Sequence, residues 1–203
     1  MAPRPLPALN IEPRVNQYTE RTEGLHLSSI IFDLMLGIEP EKYGKQTNEN
    51  IKWMNFYMGL TFERVLEEAW LSKEMQYREE LIRPGEISLD GIMMTPDAYD
   101  TTKRRPEEYK CTKKSCRQDI TDKKFWPYWV QLKAYCYGLK MAGFGANQGA
   151  LYVLHINGNY TRDDDDPDSG YVIKPWEDEW TDLQLEENWA MLKNHARSRG
   201  WLK

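Results

Sequence analysis

Cysteine is scarce in this chain of 203 residues. Its three copies, Cys111, Cys116 and Cys136, make an odd count without metal-finger spacing. That argues against a disulfide framework and for a reduced, cytoplasmic type of protein. Long apolar runs are missing too. None reaches the roughly 18 residues that a membrane-spanning helix needs, so no membrane association is expected. Positive charge is in deficit overall, with 27 Lys and Arg against 32 Asp and Glu and a net charge of −5, which at first disfavours a polyanionic partner. His26, His155 and His195 are scattered, and none has a ligand-spaced companion.

What is present argues for a folded domain. Hydrophobic residues make up 40% of the chain, enough to build a core rather than remain disordered. One domain over 1–203 is expected. Residues 1–24, with Pro3, Pro5, Pro7 and Pro13 and no signal-like apolar segment, read as an extended arm. Residues 25–156 form the core, and 157–203 a closing loop, strand and helix. The charge is also unevenly spread. Between Lys103 and Lys124 there are nine Lys or Arg and four Asp or Glu, a local excess of five positive charges that leaves −10 elsewhere. Such a strip suits a phosphate backbone, or is a solvated basic loop.

Periodicity predicts a short apolar helix over Leu25–Leu36 ending near Gly37, and a longer one from about Asn48 to Lys73 capped by Thr47 or Asn48. Tyr77–Arg83, Ile87–Thr95 and Glu107–Thr112 read as strands, with Pro84-Gly85 as a turn. Trp126–Ala142 is helical and is ended by Gly143 and Gly145. Gly149–Ile156 is a buried strand, Asn157–Gly170 a polar loop, Tyr171–Pro175 a returning strand and Glu177–Arg199 an amphipathic helix. Helix, three strands, helix, strand is an α/β order with one sheet flanked by helices. The run Asp163–Asp166 fails as an EF-hand: starting at Asp164 puts Ser169 at the sixth place and Pro175 at the twelfth, where Gly and Glu are required.

The chemistry is concentrated in Pro96-Asp97 followed by Glu108-Tyr109-Lys110. Asp97 and Glu108 suit a hard, oxygen-seeking cation such as Mg²⁺. Lys110 lies two residues beyond Glu108 and so shares its face of a strand. Two carboxylates and an ammonium around one point suit phosphoryl transfer. An acid followed two residues later by Lys occurs twice, here and at Asp122-x-Lys124. The second copy has no partner acid and reads as surface. Asp90 competes with Asp97, but on an unbroken strand the two would face opposite ways; Asp97 is preferred, and Asp100 reads as a turn residue.

Pro96-Asp97, Glu108-x-Lys110 and Gln131-x-x-x-Tyr135, preceded by Gly59-Leu60-Thr61-Phe62-Glu63, resemble in order and type the PD-(D/E)xK nuclease superfamily, in particular its RecB-like and lambda-exonuclease-like branches. The motifs span Gly59 to Tyr135. The resemblance implies a restriction-endonuclease-like core, a central mixed β-sheet flanked by helices. It implies that Asp97 and Glu108 bind Mg²⁺ or Mn²⁺, that the Tyr109 carbonyl completes the site, and that Glu63 helps hold one metal. Lys110 would orient the attacking water. Gln131 and Tyr135 would lie by the catalytic strand near DNA, Thr112, Lys113 and Lys114 would take phosphate oxygens, and Ser28 a terminal phosphate. No iron–sulfur cluster is expected, since the four cysteines that hold one in some relatives are lacking. The implied activity is a metal-dependent deoxyribonuclease leaving 5′-phosphates, an exonuclease by preference, serving recombination, repair or phage replication in a bacterial or phage-infected cytoplasm. Alternatives are an endonuclease using the same site and a non-catalytic DNA-binding subunit. A homo-oligomer or a recombination partner protein is also compatible.

Overall fold

Leu27, Ile30, Ile31 and Met35 recur at helical spacing, and in the computed structural model of the protein they form the buried stripe of a helix. The structure describes residues 23–44, 49–71, 80–121, 123–161 and 165–203. The expected arm up to residue 22 and the caps at Thr47 and Asn48 therefore lie outside the described residues, as do Asp122 and the first three residues, 77–79, of the strand expected over Tyr77–Arg83. Strand β1 (Leu25–His26) leads into α1 (Leu27–Ile38), a single turn α2 (Pro40–Tyr43) and the long α3 (Glu49–Leu71). Then come β2 (Leu81–Ile82), β3 (Ile87–Leu89), β4 (Ile92–Met94), β5 (Ala98–Asp100) and β6 (Arg105–Thr112). Helix α4 (Trp126–Met141) connects β6 to β7 (Gln148–His155), and β8 (Val172–Glu179) and α5 (Asp182–Ser198) finish the chain.

The protein is α/β with mixed sheets flanked by helices. The larger sheet runs β2-β5-β6-β7-β8, antiparallel except for the parallel β6/β7 pair, whose connection must cross over and does so through α4. On one face, Leu132, Leu139, Leu151, Val153, Leu185 and Leu192 join α4 and α5 to β7 in the main core. On the other face, Phe62 and Leu66 of α3 pack against Leu81, Ala98 and Tyr109. The sheet is thus sandwiched, as an α/β layer arrangement requires.

Three differences from the expected elements have physical causes. The strand expected over Ile87–Thr95 is broken at Asp90 (φ 52°) and Gly91 (φ 79°). Two consecutive positive φ values make the tight turn of a two-residue hairpin, for which Asp-Gly is suited. That hairpin joins β1 in a separate sheet of order β1-β4-β3. The main sheet instead gains β5, three buried residues that carry too short a pattern to stand out. Finally, Glu177–Glu179 belong to β8 and not to the last helix. Glu177 pairs with Ala150 across the sheet and is held by the buried Arg105 guanidinium. Helix α5 begins only after Thr181, whose hydroxyl accepts the Gln184 N–H at 3.3 Å while Gln184 Oε1 accepts the Thr181 N–H at 2.9 Å.

Candidate active site

Antiparallel pairing of β5 with β6 sets Ala98 opposite Glu107, so Asp97, one residue earlier, enters beside Glu108. The backbone N–H of Tyr109 donates to Asp97 Oδ2 at 2.7 Å and fixes that carboxylate against β6. Glu108 and Lys110 point to the α4 face, and Lys110 Nζ forms an ion pair with Glu108 Oε1. Glu108 is buried, and its other oxygen, Oε2, has no hydrogen-bond partner among the described residues. An acceptor left in that state is costly unless something else satisfies it.

The electrostatics follow from crowding. Burial raises Glu108 well above the usual carboxylate range; the Asp97 charge adds to this, and the Lys110 ammonium opposes it. Burial raises Asp97 as well, opposed first by the Lys110 charge and then by the Tyr109 N–H. The Asp97 charge raises Glu108, and two buried like charges acting on one another resist simultaneous ionisation. Burial works against the charge on Lys110, yet Glu108 and then Asp97 outweigh it and raise its pKa. Lys110 stays an ammonium, suited to stabilising negative charge rather than to accepting a proton.

Helix α3 packs on β6 through Phe62 and Leu66, which brings the half-buried Glu63 within electrostatic reach of Glu108, Lys110 and Tyr135. From α4, Gln131 Nε2 donates to the Tyr135 hydroxyl at 2.6 Å. Burial, and then the charges of Glu108 and Asp97, push Tyr135 up. Tyr135 therefore belongs to the core and borders the carboxyl pair at once.

The residues following Lys110 are engaged within the fold. Thr112 Oγ1 accepts the Lys114 N–H at 3.2 Å. Lys114 Nζ donates to the Lys124 carbonyl and sits 4.3 Å above the Phe125 ring. Lys113 is exposed, and its carbonyl accepts the Tyr160 hydroxyl at 2.6 Å. Ser28 is half-buried on α1, which packs against α4, α5 and β4. Asp90, the competitor of Asp97, is taken by α5: Trp189 Nε1 donates to it at 2.8 Å and Lys193 Nζ pairs with it at 2.7 Å. Asp100 accepts the Lys103 N–H at 2.8 Å and closes the β5–β6 turn.

Two residues absent from the expected set border the site. Tyr128 lies 6.0 Å from Lys110 Nζ, measured to the ring centroid. Its spacing of three from Gln131 and seven from Tyr135 puts all three on one helix face, a signal present in the sequence. Arg83 acts electrostatically on Asp97, and no spacing in the sequence announces it.

Among the described residues, no three His, Cys, Asp or Glu side chains are grouped so as to hold a metal ion. The paired carboxyls nevertheless have the donor chemistry for a hard cation. Mg²⁺ commonly takes one or two protein carboxylates and fills its other positions with water and phosphate oxygens, and the orphaned Glu108 Oε2 is a buried acceptor of the right kind. No described helix is long and apolar enough to cross a membrane. Comparison with known proteins finds no family model that matches the chain and no curated protein that matches it.

Proposed function

We propose that this chain is a metal-dependent deoxyribonuclease with a restriction-endonuclease-like core. The observation that carries the reading is the convergence of Asp97, Glu108 and Lys110 through β5–β6 pairing, with Glu108 Oε2 buried and unpartnered. A site for phosphoryl transfer needs oxygen ligands for a cation and a fixed positive charge near the reacting phosphorus. Asp97 and Glu108 would hold Mg²⁺ or Mn²⁺, with Glu63 adding negative charge at the rim. When bound, the cation supplies Lewis-acid stabilisation of charge on phosphoryl oxygens.

The chain's own groups divide the remaining work. Lys110, held as an ammonium, orients the attacking water and offsets charge growing on the phosphate. The Tyr109 N–H keeps Asp97 aimed at the shared point. Gln131 and Tyr135 wall the pair from the α4 side and limit access of bulk water. In-line attack on phosphorus with departure of a 3′-hydroxyl leaves a 5′-phosphate. Exonuclease action in recombination, repair or phage replication, in a cytoplasmic setting, is the preferred role by family resemblance.

The test is incubation of end-labelled linear and covalently closed circular DNA, single- and double-stranded, with Mg²⁺, Mn²⁺ or EDTA. Metal-dependent loss of linear DNA alone supports the exonuclease, and cutting of circles moves the reading to an endonuclease. Binding without any cleavage would overturn the catalytic reading in favour of a DNA-binding subunit, a role compatible with Lys110 being committed to Glu108.

A further inference from the structure

We propose that His155 is a positioning residue that holds the basic loop after Lys110 against the sheet, and that it releases this loop in acid. This rests on the phosphodiester reading of the carboxyl site, since the loop carries Lys113 and Lys114. His155 ends β7, opposite Thr112 on β6 and Val172 on β8, and it is fully buried. Residues 108, 110 and 112 alternate onto the α4 face, and their partners 151, 153 and 155 share it. His155 therefore lies in the same layer as Glu108 and Lys110. Its Nδ1 is 2.9 Å from the Lys114 carbonyl oxygen. A carbonyl only accepts, so Nδ1 carries the proton and Nε2 is a bare lone pair. That Nε2 is buried with no hydrogen-bond partner among the described residues. The rings of Phe125 and Trp176 meet the imidazole in T-shaped contacts at 6.4 and 6.0 Å.

The bond bears on the site through Lys114 itself. Its carbonyl is pinned by His155 and its N–H by Thr112. Its ammonium then reaches to 5.3 Å from the centre of the Tyr128 ring, which lies 6.0 Å from the Lys110 ammonium. One ring thus has both cations beside it, and a backbone anchor places the second. Protonating His155 would put an N–H at Nε2, where the described residues offer no acceptor. The charged groups acting on the imidazole are Lys174 from β8 and Lys114 from the loop, and Lys174 also pairs with Asp168 at 3.3 Å. Its neighbours on β6, β8 and the turn before α4 are the uncharged Thr112, Val172, Trp176 and Phe125. Burial holds its pKa below the ordinary 6.5; the bond to the Lys114 carbonyl opposes this, and the two ammoniums add to it. The closed loop therefore binds fewer protons than the open one. Closure is complete above about pH 6.5 and weakens as pH falls below that value.

The experiment compares full-length wild type with two variants. His155→Asn keeps an amide N–H where Nδ1 stands but does not titrate, and His155→Phe keeps a ring and loses the donor. Hydrogen exchange of the backbone over 112–118 is followed by mass spectrometry from pH 7.5 to 5, corrected for the pH dependence of intrinsic exchange, with α5 as the control for the fold. We expect wild-type loop protection to fall roughly tenfold over that range while α5 is unchanged. His155→Asn should hold its protection at every pH, and His155→Phe should be poorly protected throughout. Anisotropy of a fluorescent single-stranded 20-mer in Ca²⁺ gives a second readout. Dividing wild-type affinity by that of His155→Asn cancels the general effect of acid, and the ratio should fall roughly threefold from pH 7.5 to 5. A loop in His155→Phe as well protected as in wild type would overturn the positioning role. A pH dependence shared by wild type and His155→Asn would overturn the release; that comparison decides alone if His155→Phe loses α5 protection too. Wild type that binds no DNA at pH 7.5 would overturn the phosphodiester reading, while the exchange data would still decide on His155.

Discussion

Asp97 Oδ2 accepts the backbone N–H of Tyr109 at 2.7 Å, tying the residue that enters β5 to the middle of β6. Because that N–H sits between Glu108 and Lys110 in the chain, one hydrogen bond positions the first carboxylate against both other members of the trio. The burial of the pair is thereby set by backbone geometry and not by side-chain reach.

Asp97→Asn keeps an oxygen for the Tyr109 N–H while removing one of two crowded negative charges. The variant should melt at or above the wild-type temperature. Its cleavage should fall by about 100-fold or more, and Lys110→Ala should lose a comparable factor, as expected for groups acting on transition-state charge. Thermal melts alongside single-turnover cleavage check this; retained cleavage in Asp97→Asn would remove Asp97 from the site.

Divalent metal should stabilise the fold through the carboxyl pair. At ten times Kd, binding adds about 1.4 kcal/mol, roughly 3–5 °C in Tm for a chain of this size. Stripping with EDTA should abolish the shift, and Glu108→Gln should be blind to Mg²⁺. An equal shift in Glu108→Gln would place the metal elsewhere.

Asp90 supplies a pH dependence far from the chemistry. Hydrogen bonds from Lys193 and then Trp189 hold its carboxyl below the ordinary value near 3.8. A depressed folded-state pKa means the folded state binds fewer protons. Its stabilisation is therefore complete above about pH 4 and is lost as pH falls below that value. Asp90 is 41% exposed, so the effect is small. Acid unfolding from pH 6 to 2 should be less steep in Asp90→Asn than in wild type below pH 4, and indistinguishable slopes would refute the linkage.

Arg105 is buried on β6 with Glu107, 3.5 Å away, and also pairs with Glu177. Removing one partner of a buried pair strands the other charge. Arg105→Ala should cost about 3 kcal/mol or more, whereas the double variant Arg105→Met with Glu107→Leu should lie within about 1 kcal/mol of wild type. Urea melts of the three proteins decide it. Equal losses in single and double variants would mean that packing, not charge, sets the cost.

Much of this protein was legible in local pattern. The apolar stripe of α1, the α4 span, the buried run of β7 and the shared face of Glu108 and Lys110 all follow from periods of 3.6 or two residues, which a side chain and its near neighbours determine. Asp97 as partner of Glu108 was an expectation carried by motif resemblance. Tyr128 could have been found from its spacing to Gln131 and Tyr135.

Tertiary structure decided the rest. The Asp90-Gly91 turn sends its hairpin to a second sheet and gives Asp90 to α5. Pairing of β2 with β5 brings Arg83 within electrostatic reach of Asp97, and pairing of β8 with β7 keeps Glu177–Glu179 out of the last helix. Packing of α3 on β6 brings Glu63 to Glu108. Each depends on which strand or helix lies beside which, across many residues of chain. A periodic pattern states which face of an element is buried, but its partner is chosen by the pairing and packing of the whole sheet.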